Sequence, residues 1–143
     1  MNKVISLQNE AFPKIDPNAP SSKNEETALS LWYLSYTSTN RKPLVAAGAH
    51  TELSALLIDP NASSLAKKYA VYVLYNLSIT EGTRQALVAA RVDIQLNALL
   101  IDQKAGRSTK EWATKTLRHL SIPDANRRTL AAAGGPVQTC TIS

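Results

Sequence analysis

Residues 74–78 read Leu-Tyr-Asn-Leu-Ser, and this five-residue pattern occurs three times in the chain. The other copies are Leu-Trp-Tyr-Leu-Ser at 31–35 and Leu-Arg-His-Leu-Ser at 117–121, so each copy follows the previous one by 43 residues without a gap. Two further sets keep this spacing: Arg41, Arg84 and Arg127, and Leu44, Leu87 and Leu130. So many matches at one spacing indicate three copies of one structural unit.

The apolar residues of the middle unit predict helices. Val73, Leu74 and Leu77 recur at spacings of one, three and four residues, which places them on one helical face and does not fit the alternation of a strand. A second, short helix is predicted at about 84–90 and a third at about 92–101. The sequence therefore predicts an all-α fold with three helices in each 43-residue unit.

The turn between the second and third of these helices is marked by glycine in the first unit and not in the middle one. Gly48 occupies this place in the first unit, as expected of a residue that adopts a left-handed conformation without strain. Arg91 occupies it in the middle unit, so the turn there is predicted to differ or to be strained.

The unit resembles the armadillo repeat of the catenin and importin-α kind. The resemblance is carried by Asn-Arg-x-x-Leu-Val-Ala-Ala-Gly-Ala at 40–49, Leu-x-x-Leu-Leu at 53–57 and Tyr-Ala-Val-Tyr-Val-Leu-Tyr-Asn-Leu-Ser at 69–78, and it covers about residues 26–137. It implies a right-handed helical solenoid in which the helix that comes third in the family's order lines a concave groove. HEAT repeats are the near alternative. The groove helices align to about 26–36, 64–78 and 108–121.

The resemblance also implies a peptide-binding site. Armadillo proteins that bind extended peptides hold the backbone with an Asn on each third helix and pack its side chains on a Trp one turn earlier. Asn76 and Tyr72 match this pair closely, whereas the other units differ, so binding of classical nuclear-import signals is not expected. The predicted partner-binding residues are Leu29, Tyr33, Lys68, Tyr72, Asn76, Lys115, Arg118 and His119. The alternative interpretation is that Tyr33 and Tyr72 are half-buried packing residues and that His119 is an ordinary surface residue.

The net charge of +5 lies in the C-terminal half of the chain. Residues 1–83 hold seven basic and seven acidic side chains, whereas residues 84–143 hold nine basic and four acidic ones. A basic half attracts an anionic membrane, an acidic protein or nucleic acid, although it also suits a plain solvated surface. Since no motif of a nucleic-acid-binding module is present, contact with nucleic acid is not expected.

The single cysteine, Cys140, stands fourth from the end of the sequence, in Cys-Thr-Ile-Ser. This arrangement has the form of a prenylation box, and a final Ser favours farnesyl over geranylgeranyl, although Thr141 is not aliphatic. One lipid chain binds membranes only weakly, so a second signal is needed, which the basic half can supply. The sequence therefore predicts lipidation of Cys140.

These observations favour a binding protein over an enzyme. No secretory signal or membrane span is visible, which predicts a cytoplasmic protein. It is expected either free in the cytoplasm or peripheral on a cytoplasmic membrane face. No catalytic set, metal-ligand cluster or phosphate-binding Gly loop is found, so no cofactor is expected. The leading hypothesis is a prenylated adaptor that binds a protein or extended peptide in the groove. A soluble armadillo-type regulatory subunit or fragment without lipid is the alternative, and a cargo or nucleic-acid binder using the basic last repeat is the third.

The chain is predicted to divide into three parts. Residues 1–24 form a flexible N-terminal segment, with a short capping helix around 4–12. Residues 25–134 form the armadillo-repeat domain, and residues 135–143 form a flexible tail. Because the terminal faces of a solenoid are apolar, its ends are candidates for self-association.

Overall fold

The computed structural model describes residues 12–122, and all the regular secondary structure in this range is helical. Its helices are α1 Ser21–Ser35, α2 Ser38–Ala46, α3 Ala49–Leu57, α4 Ser64–Ile79, α5 Glu81–Ala89, α6 Val92–Leu100 and α7 Arg107–Leu120. The all-α prediction is confirmed. None of these helices is long and apolar enough to cross a membrane.

The helices recur as one long and two short helices, and equivalent helices pack on each other. The long helices α1, α4 and α7 pack side by side in that order, with α4 in the middle. The short helix α2 contacts α5 in the same way, and α3 contacts α6. The 43-residue spacing of the sequence is therefore also the spacing of the packed units.

The repeated leucines form the core between these helices. Leu31 and its equivalent Leu74 have no exposed surface, and neither have Leu44 and its equivalent Leu87. Burial of such side chains contributes about 1.5–3 kcal/mol each, which makes them the main source of stability. Leu117, the third member of the first set, is only half-buried.

The repeated arginines hold the C-terminal ends of the long helices. Arg41 Nε donates a hydrogen bond of 2.8 Å to the carbonyl of Ser35, and a guanidinium nitrogen of Arg84 donates one of 2.8 Å to the carbonyl of Ser78. The last carbonyls of a helix have no partner within it, so these side chains satisfy them. The recurrence of arginine at this position thus has a structural cause.

Arg91 adopts the same left-handed conformation as its glycine counterpart. Gly48 has φ 82°, and Arg91 has φ 57° and ψ 40°. A side chain in this region costs about 1–2 kcal/mol. The guanidinium of Arg91 also pairs with Asp93 through two hydrogen bonds of 3.0 and 3.1 Å. Of the two outcomes expected for this turn, the strained one is found.

The segment before α1 is packed onto the first unit. Phe12 is only 7% exposed and belongs to the core, and the backbone N–H of Ile15 donates to Glu52 at 3.2 Å. α1 itself begins at Ser21, four residues before the expected start of the repeat domain at 25. Phe12 and Ile15 thus pack against the edge of the first unit, and the flexibility expected of residues 1–24 stays a prediction. The capping helix proposed around 4–12 lies outside the described residues except for Phe12, and so does the 135–143 tail.

Candidate functional site

Seven aromatic side chains form a continuous surface across the three long helices. They are all the tyrosines and tryptophans of the chain, which contains five and two respectively. The set, called the aromatic face below, consists of Trp32, Tyr33, Tyr36, Tyr69, Tyr72, Tyr75 and Trp112.

Trp32 joins α1 to α4. Its ring centroid lies 4.7 Å from that of Tyr72 and 5.7 Å from that of Tyr69. On its own helix it stacks on Tyr33 at 5.8 Å and lies 5.7 Å from Tyr36. Aromatic pairs at these distances contribute about 0.5–1.5 kcal/mol beyond the burial of their surface. The indole ring of Trp32 is thus the centre of the first half of the aromatic face.

Trp112 joins α4 to α7 in the same manner. Its ring meets Tyr75 edge-on at 4.7 Å and Tyr72 edge-on at 5.8 Å. Lys115 lies one turn further along α7, with Nζ 4.3 Å from the centroid of the Trp112 ring, which is a cation–π contact. His119 continues the row, with its ring centroid 5.1 Å from that of Tyr75.

The spacing of the tyrosines explains why the rings share a face. Tyr69, Tyr72 and Tyr75 are three residues apart, and residues at this spacing are neighbours on a helix surface. Tyr33 and Tyr36 remain 61% and 55% exposed, so the surface is open to solvent. A pocket of about 280 Å³ opens within it, lined by Trp32, Tyr36, Tyr72, Tyr75, Asn76 and Trp112.

The polar atoms of the aromatic face have no partner in the described part of the protein. None of the phenol hydroxyl groups or indole N–H groups of the seven residues is hydrogen-bonded to a protein group in residues 12–122. Tyr and Trp normally satisfy these groups when they are buried. Here the groups face solvent and can donate to the carbonyl groups of a bound molecule.

Asn76 has a structural contact that the sequence did not predict. It is 7% exposed, and its Nδ2 donates to Ser35 Oγ at 2.8 Å, while the Ser35 hydroxyl donates to the carbonyl of Trp32 at 2.7 Å. This amide therefore links α4 to α1. Its Oδ1 atom accepts no hydrogen bond in the described region, and the residue lines the pocket, so this oxygen is still able to accept from a ligand.

His119 repeats the contact of Asn76 one unit later. Its Nδ1 lies 2.7 Å from Ser78 Oγ, and the Ser78 hydroxyl donates to the carbonyl of Tyr75 at 2.6 Å. Because that hydroxyl proton is already committed, Nδ1 must carry a proton and donate it, which leaves Nε2 as the acceptor of the neutral ring. Burial, and then the positive charge of Arg84, holds the pKa of His119 below its ordinary value. The ring is therefore predominantly neutral at pH 7.

The other predicted partner-binding residues are distributed more widely. Tyr33 and Tyr72 belong to the aromatic face, and Lys115 is exposed beside it. Arg118 is exposed on α7, whereas Leu29 is half-buried. Lys68 lies near the N-terminal end of α4 and lines a different cavity. Cys140 lies outside the described residues, so its lipidation stays a prediction.

Sequence reasoning missed five members of the aromatic face. They are Trp32, Tyr36, Tyr69, Tyr75 and Trp112. The armadillo resemblance directs attention to two fixed positions of each unit, and these five rings lie at other positions. The signal that was available is the three-residue spacing of the tyrosines on the middle helix.

Two further findings bear on the class of the protein. Within residues 12–122 no group of three or more His, Cys, Asp or Glu side chains comes close enough together to hold a metal ion. Comparison with known proteins gives no family: no family model, no curated protein and no solved structure matches the chain.

Proposed function

We propose that this chain is an armadillo-type scaffold that binds a segment of a protein partner along the aromatic face. The observation that carries the proposal is the uninterrupted contact of seven aromatic rings across three helices, with their hydroxyl and N–H groups unpaired in the described region. Binding surfaces are enriched in Tyr and Trp because these side chains supply large contact area together with a polar tip. No catalytic step is part of this proposal.

The fold supports this interpretation. The described residues contain two complete units and the long helix of a third, and the side-by-side packing of the equivalent long helices supports the solenoid that the armadillo resemblance implies. In such a solenoid the long helices line the concave groove, and their rings in this chain are the aromatic face. Asn76, which is linked to Ser35, lines the same pocket.

The chemistry of the surface favours an extended, partly acidic ligand. An extended or polyproline-type segment has backbone carbonyls without internal partners, and aromatic grooves with donor groups bind such segments. Lys115 and Arg118 are exposed at the α7 end of the aromatic face, whereas Glu26 is exposed on α1. We therefore expect the acidic residues of the ligand to lie over α7.

The test begins with a displayed library of random linear peptides, selected on the full chain and counter-selected on an unrelated helical protein. The enriched peptide is then synthesised and titrated while tryptophan fluorescence is recorded. Both tryptophans of the chain belong to the aromatic face, so the fluorescence reports on that surface alone. Enriched sequences are expected to combine proline or aliphatic residues with acidic ones.

The variant Tyr36→Ala tests the surface directly. Tyr36 lines the pocket but is 55% exposed, so truncation should leave the core intact while removing an anchor. A central anchor of this kind contributes about 2 kcal/mol, so affinity should fall by about thirtyfold. Val88→Ala is the matched control, because Val88 is 44% exposed on α5, away from the aromatic face. No enrichment of peptides, or equal affinity of both variants, contradicts the proposal.

Attachment to a cytoplasmic membrane face through Cys140 is a separate part of the proposal and rests on the sequence alone. Expression in a eukaryotic cell should give a farnesyl-sized increase in intact mass that is absent in Cys140→Ser. An unmodified wild-type chain, under conditions where a control protein is prenylated, supports instead the regulatory subunit without lipid.

A further inference from the structure

A second surface lies at the N-terminal ends of the long helices. It comprises the connections 58–63 and 101–106 and the first turns of α4 and α7, and it is called the loop edge below. A cavity of about 390 Å³ lies between the two helix ends. Its lining consists of Ser64, Leu65, Lys68, Gly106, Arg107, Ser108 and Thr109, without an acidic side chain.

The two helix ends at this cavity differ in how their amides are satisfied. In α4 the hydroxyl of Ser63 accepts a hydrogen bond of 3.1 Å from the N–H of Ala66. The equivalent of Ser63 in α7 is Gly106, which has no side chain, and the first turn of α7 contains no acidic residue. The first amides of α7 therefore keep their partial positive charge, which favours an anion.

Thr109 is a second and independent indication of a ligand. It is only 5% exposed and lines the cavity, yet its hydroxyl forms no hydrogen bond with any residue in the described range. This oxygen is not among the buried unsatisfied atoms of the described residues, so it is accessible from the cavity and an oxyanion bound there would accept its proton. Arg107 and Lys68 line the same cavity and supply two positive charges.

The acidic groups near the loop edge are engaged elsewhere or lie outside the cavity. Asp102 pairs with Lys67 at 3.6 Å, and Asp59 accepts from the backbone N–H of Asn61 at 2.9 Å. Glu25 accepts a hydrogen bond of 2.6 Å from Ser63. Glu111 lines a neighbouring depression together with Arg107 and Lys110. The cavity itself is therefore complementary to negative charge.

The loop edge also has exposed aliphatic side chains, which distinguish a lipid surface from a free anion as the ligand. Ile101 is 82% exposed, its equivalent Ile58 is 52% exposed, and Leu65 in the cavity lining is 40% exposed. A free phosphate ion gains nothing from such side chains. A membrane surface does, because aliphatic residues beside basic ones insert at the boundary between head groups and acyl chains.

We propose that the loop edge docks on an anionic phospholipid surface, with a lipid phosphate in the cavity at Arg107 and Thr109 and with Ile58 and Ile101 inserted beside it. This inference goes beyond partner binding on the aromatic face and does not depend on it. It also does not depend on lipidation of Cys140.

The experiment is vesicle sedimentation of the full chain produced in bacteria, where Cys140 stays unmodified. Vesicles of phosphatidylcholine alone are compared with vesicles of phosphatidylcholine and phosphatidylserine at a ratio of about four to one. Binding is expected only to the anionic vesicles and should weaken at high salt. Arg107→Ala and Lys68→Ala should each lower the affinity about fivefold, whereas Lys42→Ala, which removes an exposed charge on α2, should not.

A second pair of variants tests whether the exposed isoleucines of the loop edge insert into the membrane. Ile101→Ala should lower affinity for the anionic vesicles about tenfold, because less apolar surface is then buried at the boundary between head groups and acyl chains. Ile94→Ala is the matched control, since Ile94 is 54% exposed on α6 and is not part of the loop edge. Equal binding of these two variants would overturn the docking geometry.

Inorganic phosphate separates a lipid surface from a small-anion site. If phosphate perturbs the amide resonances of 106–109 and the anionic vesicles do not bind, the cavity is a small-anion site and the membrane proposal is wrong. Vesicle binding that survives Arg107→Ala and Lys68→Ala together also overturns it, because the lipid then binds elsewhere.

Discussion

Successive units meet at two junctions, the first between α1 and α4 and the second between α4 and α7. The side chains at these junctions occupy equivalent positions but differ in chemistry. At the first, the carboxamide of Asn76 donates to Ser35, and neither group changes its charge with pH. At the second, the imidazole of His119 donates to Ser78, and this ring can gain a positive charge as the pH falls. The packing follows the same trend, because Leu31 and Leu74 are fully buried and Leu117 is half-buried. One architecture thus contains a firmly packed junction and a weaker, pH-sensitive one.

Truncating the equivalent leucines should cost more stability at the two fully buried positions than at the half-buried one. Leu31→Ala and Leu74→Ala should each lower the free energy of unfolding by about 2–5 kcal/mol, because each leaves a cavity in a closed core. Leu117→Ala should cost less, since part of its side chain already contacts solvent. Urea denaturation of the three variants measures this ranking, and equal losses would contradict it.

Removing the amide at the first junction should also be costly. Asn76→Ala leaves the Ser35 hydroxyl oxygen without its donor in a buried site, so the free energy of unfolding should fall by about 1–3 kcal/mol. Asn76→His is the matched variant, because it copies the side chain found at the second junction. It should retain part of the stability, and chemical denaturation at pH 8 compares the two. If both variants are equally unstable, the imidazole does not replace the amide.

The turns within the two units provide a smaller contrast. Gly48→Ala should cost about 1 kcal/mol of unfolding free energy through its left-handed backbone, because the nearest atom to an added Cβ is at 3.7 Å, an ordinary contact. Gly48→Asn should cost less, since Asn tolerates this conformation better. Thermal denaturation distinguishes the variants, and a neutral Gly48→Ala would show that the turn relaxes.

The smallest expected effect is the response of the second junction to acid. Burial, followed by the charge of Arg84, lowers the pKa of His119 in the folded state, so the unfolded chain binds protons more readily. Stability is therefore fully present above pH of about 6.5, the ordinary imidazole value, and is lost as the pH falls below it. Unfolding free energies measured between pH 8 and pH 5 should decline less in His119→Asn.

The control for that measurement is a variant of the other histidine, His50. Burial lowers its pKa too, so it contributes in the same direction, and its Nδ1 has no hydrogen-bond partner in the described region. His50 and His119 are the only histidines in the sequence. His50→Asn should therefore remove a separate part of the slope. A slope unchanged in His119→Asn would mean that the second junction does not sense pH.

Helix positions were predictable because the sequence repeats at a constant spacing. The long helices were expected at about 26–36, 64–78 and 108–121 and are found at Ser21–Ser35, Ser64–Ile79 and Arg107–Leu120. The early start of α1 was missed because Ser21 to Asn24 have no apolar periodicity of their own. Tertiary contacts support this turn instead: Asn24 is buried and exchanges two hydrogen bonds with the backbone of Asp16, and the Ser21 hydroxyl donates to the carbonyl of Asn61 at 3.0 Å.

The candidate site was predictable only in part, because side-chain contacts between helices depend on how the units stack. Tyr72 and Tyr33 were identified, whereas Trp32 and Trp112 were not, although these two rings connect the helices. The inward link of Asn76 was missed as well, since the repeat pattern does not show that Ser35 lies opposite it. The cavity at Thr109 could not be predicted, because the repeat pattern does not show which helix ends lie beside each other.

The constant spacing has a consequence for engineering by duplication. A second copy of residues 36–78 inserted after Ser78 would place another Asn76 opposite the existing Ser78, where His119 lies now. Such an insertion repeats a connection that already exists, so every turn keeps its length. The protein would thereby gain four further tyrosines, the equivalents of Tyr36, Tyr69, Tyr72 and Tyr75, from one recombination event, and the length of the aromatic face could be set by copy number.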